Sequence, residues 1–139
     1  MTNVAWSPFT EVVMKTLRAE RMKIKLGDHW ESPVLHILLT YEDDVVVARC
    51  LDFTVSSHGQ DEKEALMSLA DAIREYIATA VEARAVDTIF DPAHGKYWRM
   101  FDEAEARKSM RTLQRSLKKS FPSLKSESLR DSTLEICYA

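Results

Sequence analysis

The four histidines and the paired carboxylates are the residues of this 139-residue chain that could do chemistry. The histidines lack the short spacing that brings two imidazoles to one metal ion, so we expect structural or surface roles for His29, His36, His58 and His94. A two-metal site would need carboxylates that converge in space. A hairpin turn explains Asp43 with Asp44 more simply, and a helix cap explains Asp52 with Glu64. We therefore predict no catalytic residue, no metal site and no cofactor, and a protein that is not an enzyme.

Other catalytic signatures are missing from the sequence. The three glycines lie far apart and form no phosphate-binding loop, and no GxSxG motif occurs. Cys50 and Cys137 are too few for a disulfide framework and are interpreted as small apolar core residues in a reducing compartment. No apolar run is long enough to cross a bilayer. We expect a soluble cytoplasmic protein that does not contact membranes.

Charge is unevenly distributed along the chain, although the formal net charge is only -3. Residues 28–91 contain fourteen acidic and four basic residues, a net of -10. Residues 106–126 contain seven cations and no acid. A basic stripe attracts phosphates, acidic protein surfaces or the acidic middle of the same chain. We name six of these cations as candidate partner-binding residues: Arg107, Lys108, Arg111, Arg115, Lys118 and Lys119.

The N-terminal 27 residues are predicted to form a helical extension of a single domain that covers residues 1–139. A capping serine, a first-turn proline and apolar residues at helical spacing predict a short helix from Ser7 to about Glu20. Met22, Ile24 and Leu26 then alternate with polar residues. This alternation fits either a short edge strand or an extended tail of the helix.

Three strands and a covering helix are predicted next. Apolar runs at 34–40 and 45–53 flank the turn 42–44 and indicate an antiparallel hairpin. Residues 54–58 fit a third strand that ends at Gly59. Asp61 and Glu64 form a variant capping box that opens an amphipathic helix, whose apolar stripe must cover the sheet. The fold class is therefore α+β, with a small antiparallel sheet under a long helix.

Two further elements are predicted in the C-terminal third. A basic helix spans residues 96–120, with a narrow apolar face and its cations on the far side. Alternation of apolar and polar residues over 133–138 predicts a final strand that pairs with the earlier sheet.

The segment 46–77 resembles the HicB-like antitoxin family. It reads VVARCLDFTVSSHGQDEKEALMSLADAIREYI, and the pattern of likeness extends over residues 33–85. The family shows an acidic residue before its third strand and a Gly-x-Thr-x-x-Glu-Ala turn into an amphipathic helix. Asp61 stands where the family has Thr, and both residue types cap a helix by the same hydrogen bond. The matching motif residues are Asp52, Gly59, Asp61, Glu64 and Ala65.

This resemblance implies a β-β-β-α-β unit with a partial RNase H-like fold. It also implies a non-catalytic protein that neutralises a small RNA-cleaving toxin of the HicA type. Many family members add a C-terminal DNA-binding module, but this chain shows no short turn and second recognition helix after its basic helix. The N-terminal helix and the basic helix lie outside the minimal family unit, where they complete the core or make a homo-oligomer.

Two other functions are compatible with the sequence. The basic helix could bind nucleic acid in a stand-alone regulatory protein, which predicts a steep loss of affinity with salt. An RNase H-like nuclease would need converging carboxylates and a divalent metal.

Overall fold

The computed structural model describes residues 14–122 and 125–138 of the chain. These residues belong to two compact units, one that ends at Glu105 and one that begins at Ala106. Between them they contain six strands, a 3-10 turn at Val86–Thr88 and three α-helices: β1 (Lys15–Met22), β2 (Lys25–Leu26), β3 (Trp30–Glu31), β4 (Leu35–Glu42), β5 (Val45–Cys50), β6 (Val55–Gly59), α1 (Glu62–Glu82), α2 (Gly95–Ser120) and α3 (Ser126–Arg130).

The first unit is built on a four-stranded antiparallel sheet with the strand order β1-β4-β5-β6. Strands β2 and β3 form a separate two-stranded ribbon between β1 and β4 along the chain. The α+β class, the antiparallel sheet and the long helix predicted from the sequence are confirmed.

One face of the sheet packs against α1. Alternate residues of a strand point to opposite faces, so Leu35, Ile37 and Leu39 of β4 share one side. They form a buried cluster with Ala65, Leu69 and Ile73, which lie at helical spacing on the inner stripe of α1. The predicted apolar stripe is therefore the face that covers the sheet.

The other face of the sheet packs against the beginning of α2. Leu38 of β4 and Leu51, just after β5, form a second buried cluster with Phe101 and Ala104 of α2. Trp98 and Tyr97 are half-buried against the same cluster. The strand β4 is thus covered on both faces, which accounts for its nearly continuous apolar run.

The hairpin and the third strand occur where the sequence places them. The loop between β4 and β5 consists of Asp43 and Asp44, whose φ angles of 51° and 64° are the positive pair that a type I′ hairpin turn needs. The third predicted strand is β6, which ends at Gly59 as expected. Both predictions are confirmed.

The predicted N-terminal helix is wrong over its second half. Its first half falls within residues 1–13, outside the described residues. From Lys15 onward the chain is strand β1, antiparallel to β4. The strand β4 is buried on both faces, so the backbone N–H and C=O groups on its outer edge need partners. Pairing with β1 supplies them, and this tertiary demand outweighs the helical spacing of the side chains. Met22 ends β1, whereas Ile24 has no regular secondary structure and Leu26 belongs to the separate strand β2, so neither of the two open alternatives describes the whole segment.

The predicted final strand over residues 133–138 is also wrong. These residues have no regular secondary structure, and Leu134, Ile136 and Tyr138 are 82%, 71% and 94% exposed. The sheet's fourth strand comes from β1, before the hairpin, rather than from the end of the chain. Alternation of side chains is a local signal, whereas a strand also needs a neighbour with free hydrogen-bonding groups.

The second unit contains the remainder of α2 and the short helix α3. The predicted basic helix is confirmed, with bounds that differ by one residue at its start. Its apolar residues divide between two environments. Phe101 and Ala104 are buried in the first unit, whereas Met110, Leu113 and Leu117 are 54%, 60% and 47% exposed in the second.

The packing of α1 yields a stability prediction. Leu69 and Ile73 are almost fully buried, so Leu69→Ala or Ile73→Ala should lower the free energy of unfolding by about 2 to 5 kcal/mol. Met67 lies on the same helix but is 63% exposed, and Met67→Ala should change it by less than about 0.5 kcal/mol. Urea denaturation measures both. Equal effects at buried and exposed positions would contradict the packing of α1 on the sheet.

Candidate docking site

The family-motif residues Gly59, Asp61, Glu64 and Ala65 meet at the junction between β6 and α1. Gly59 lies so close to the helix that a Cβ atom there would be 2.5 Å from the backbone nitrogen of Ala65. Asp61 Oδ1 accepts from the Glu64 N–H at 2.8 Å, and Glu64 Oε1 accepts from the Gln60 N–H at 3.3 Å. The Asp61 cap is confirmed, whereas Glu64 accepts from the N–H of Gln60 and not from that of the N-cap residue Asp61; together these contacts fix the helix to the sheet.

Asp52, the remaining motif residue, holds the loop after β5. Its Oδ1 accepts from the His36 N–H at 2.8 Å, and its Oδ2 lies 3.0 Å from His36 Nδ1. The His36 ring in turn contacts Trp98 and Phe101, with centroids 5.2 and 5.4 Å apart. Asp52 therefore joins the first hairpin strand to the start of α2.

The acid pairs considered as metal ligands are not brought together. Asp43 and Asp44 form the hairpin turn, where Asp44 Oδ1 lies 3.5 Å from the Tyr41 hydroxyl. Asp52 binds His36, while Glu64 serves the helix cap. Within residues 14–122 and 125–138, no three His, Cys, Asp or Glu side chains form a group that could hold a metal ion. Of the four histidines, His36 is partly buried and the other three are exposed.

The six predicted partner-binding cations all lie on the second-unit part of α2. Each of them is exposed, and none forms an ion pair with another described residue. They accompany the exposed residues Met110, Leu113 and Leu117, which recur at spacings of three and four and so share one side of the helix. We call the exposed part of α2 that carries these nine residues, six cations and three apolar side chains, the basic helix face; at about 100° per residue, Arg107, Arg111 and Lys118 lie along one edge of the apolar strip, and Lys108, Arg115 and Lys119 lie on the opposite side of the helix. It offers a solvated apolar strip together with positive charge.

A polar cluster that the sequence analysis did not identify lies on the α2 side of the sheet. Arg49 Nη1 donates to Thr40 Oγ1 at 2.9 Å and to Glu42 Oε2 at 3.1 Å, and Arg49 Nη2 donates to Glu42 Oε1 at 3.2 Å. The Arg49 guanidinium lies 4.6 Å from the centroid of Tyr97 in α2. The one signal in the sequence is an arginine inside an otherwise apolar strand.

The cluster changes the acidity of Glu42. Its hydrogen bonds with Arg49 hold the pKa of the Glu42 carboxyl below its ordinary value, although partial burial acts in the opposite direction. A cavity of about 320 Å³ opens beside Arg49 and Tyr97 and is also lined by Ser56 and His94. Arg49 is already neutralised by Glu42, so the cluster orients α2 on the sheet more than it offers free charge.

The two cysteines differ in environment. Cys50 is fully buried in the α1-side cluster, and burial raises the pKa of its thiol to about 12. Cys137 is exposed, so its predicted place in the core is wrong. It belongs to the terminal residues that form no strand.

Comparisons with protein-family models, curated proteins and solved structures gave no significant match. In the described part of the chain, none of the helices combines the length and the apolar character needed to cross a membrane.

The polar cluster predicts a pH-dependent contribution to stability. Glu42→Gln should lower the free energy of unfolding at pH 7 by about 1 to 3 kcal/mol, since a hydrogen-bonded ion pair is lost. The folded-state pKa of Glu42 is lowered, so this contribution is present above the unfolded-state value and disappears as the pH falls through the folded-state value. Urea denaturation from pH 7 to about pH 2, which passes below the ordinary carboxyl pKa and through the lowered folded-state pKa, should show the two proteins converging. Glu103→Gln, at an exposed position of α2, is the control; a pH-independent difference for Glu42→Gln would contradict the ion pair.

The cysteines predict a simple labelling pattern. In the native protein at mildly alkaline pH, a thiol reagent should modify Cys137 rapidly and Cys50 only after unfolding, because the thiolate is the reactive form. Cys137→Ser should abolish the rapid phase. Rapid modification of that variant would show that Cys50 is accessible.

Proposed function

We propose that this protein is a non-catalytic binding protein of the antitoxin type, and that the basic helix face is its docking element. The observation that carries the proposal is the solvation of Met110, Leu113 and Leu117 within a segment of seven cations and no acid. A helix that belonged only to the core would bury these apolar residues, and a purely solvated helix would lack them.

The arrangement favours a protein partner. Phosphates would neutralise the cations but would leave Leu113 and Leu117 in water. An apolar groove or helix bordered by acidic side chains would cover the apolar residues and also pair with the cations, as when a groove binds an amphipathic helix. Electrostatic attraction would raise the association rate, and burial of the apolar strip would slow dissociation.

The resemblance to the HicB-like antitoxins indicates which partner to test first. The segment that carries it contains β5, β6 and α1, preceded by the hairpin strand β4. The succession of three strands and a covering helix agrees with the family order, while the following strand of the family unit has no counterpart in the described residues. We propose a small RNA-cleaving toxin of the HicA type as the partner.

The non-catalytic part of the proposal rests on the roles of the polar side chains. Asp52 and Glu64 are engaged in local hydrogen bonds, and Glu42 is paired with Arg49. The thiol of Cys50 is buried and protonated at neutral pH. Each of these groups has a structural role in the contacts described above.

Charge reversal tests the docking element. Arg111→Glu with Arg115→Glu should weaken binding of the small protein encoded beside this one, or of a HicA-type toxin, by at least about tenfold, because the net charge of the six positions falls from +6 to +2 and the attraction weakens. Both positions are exposed, so the melting temperature should not change. Titration calorimetry and thermal denaturation measure the two effects.

Lys25→Glu with Lys63→Glu is the matched control. It changes the net charge equally at exposed positions in β2 and α1, which are not part of the basic helix face, and should leave the affinity unchanged. If the Arg111 and Arg115 variant binds as tightly as the natural protein while melting at the same temperature, the basic helix face is not the docking element. Failure of both the encoded neighbour and a HicA-type toxin to bind would contradict the antitoxin proposal.

Nucleic-acid binding is the second candidate, because seven cations without an acid suit a phosphate backbone. It predicts an affinity that falls steeply with salt, by about 0.9 in log K per log unit of salt for each duplex phosphate contacted. Leu113→Ser with Leu117→Ser distinguishes the candidates. These changes should weaken a protein partner and leave an electrostatic nucleic-acid complex almost unchanged.

A further inference from the structure

An apolar groove runs along the C-terminal half of α1. Its volume is about 490 Å³, and its walls are formed by small or apolar residues of α1 and the segment that follows: Ala72, Tyr76, Thr79, Ala80, Ala83 and Ile89. The α1 positions recur every three or four residues and therefore form one continuous side of the helix. We call this surface the α1 groove. It belongs wholly to the first unit.

Acidic side chains border the α1 groove. Glu75 lines it directly, and Asp71 and Glu82, four residues before and seven after, lie along the same edge of the helix. Asp87 follows in the 3-10 turn beside the wall residue Thr88. All four carboxylates are exposed, and Asp71 is paired with Arg74. The groove thus combines an apolar floor with a mainly negative border.

The basic helix face has the complementary properties. Its apolar strip, from Met110 to Leu117, is bordered along one edge by Arg107, Arg111 and Lys118, whose spacings of four and seven residues are those of the acids Asp71, Glu75 and Glu82 on α1. From Arg107 to Lys118 the helix rises by about 16 Å, at 1.5 Å per residue, and the acids from Asp71 to Glu82 extend over the same length of α1. Two basic faces would repel each other, so a helix pair made of two copies of α2 is unfavourable.

We propose that the protein forms a reciprocal homodimer in which the basic helix face of each copy lies in the α1 groove of the other. Each surface is a property of one unit by itself, and both are exposed within a single chain. A two-fold dimer makes the contact twice. The buried area is therefore doubled, whereas the translational and rotational entropy of association is lost only once. Small side chains such as Ala72, Ala80 and Ala83 allow a helix to approach closely, as helix pairs require.

The dimer goes beyond the proposed function and does not depend on it. Because the same helix face would serve both contacts, an outside partner and the second copy compete for it. A variant with a damaged groove keeps the helix face intact and should bind the outside partner at least as tightly as the natural protein does.

A charge exchange between two variants tests the homodimer. One variant carries Arg107→Glu, Arg111→Glu and Lys118→Glu, so that the edge of its apolar strip and the edge of its groove are both acidic. The other carries Asp71→Lys, Glu75→Lys and Glu82→Lys, so that the edge of its groove is basic, as the edge of its apolar strip already is. Each variant alone should sediment as a monomer under conditions in which the natural protein is a dimer. An equimolar mixture should restore the dimer, because each helix face then meets a groove of opposite charge.

Three results would overturn the proposal. The first is that the natural protein stays monomeric at all concentrations tested, and the second is that either variant alone still forms the dimer. The third is that the mixture stays monomeric while circular dichroism shows that both variants are folded. Assemblies larger than a dimer would show that the two contacts do not close between the same two copies, and would also overturn the proposal. The restored dimer should also dissociate more readily as salt is added, because its charge pairs are exposed. Lys25→Glu with Lys63→Glu should leave the natural dimer intact.

Discussion

The burial of β4 on both of its faces is the constraint on which the rest of the first unit depends. Of residues 35–40, only His36 is not fully buried, and its ring still contacts α2. An apolar strand of this kind needs a covering layer on each side and a hydrogen-bonded neighbour along each edge. The helix α1 and the beginning of α2 provide the layers, while β1 and β5 provide the neighbours. The arrangement of elements in the first unit thus gives β4 a covering layer on each face and a hydrogen-bonded strand along each edge.

The two faces of the sheet are stabilised in different ways. The α1 side is an apolar cluster fixed at one end by the Asp61 cap and the close approach of Gly59 to the helix. The α2 side combines apolar contacts with two polar pairs, Glu42 with Arg49 and Asp52 with His36. Hydrogen-bonded pairs have directional geometry, whereas apolar contacts alone tolerate sliding. The polar pairs orient Arg49 and His36, whose side chains contact Tyr97, Trp98 and Phe101, and so specify where α2 begins on the sheet.

The helix α2 changes its role along its length. Its first turns complete a core, and its later residues keep the same amphipathic spacing but leave the apolar side in water, with cations along one edge and on the opposite side of the helix. A folded protein gains nothing from such an exposed strip unless another surface covers it. The acid-bordered groove of α1 is the reverse of this surface in charge and similar to it in length. These paired properties suggest a protein whose interactions depend on which surface, a second copy or an outside partner, covers the later part of α2.

Local patterns were sufficient for the hairpin, the strand that ends at Gly59, the capped helix α1 and the extent of α2, because turn chemistry, capping and helical periodicity act over a few residues. The same patterns located the exposed cations, since a charged run without acids is visible in the sequence. Only the tertiary structure decided that residues 15–22 form an edge strand and that residues 133–138 do not, because a strand exists only where a neighbour offers free hydrogen-bonding groups. It also decided that Arg49 meets Glu42 and Tyr97, and that the groove on α1 has an acidic border, since these contacts join residues that are distant or whose orientation depends on packing.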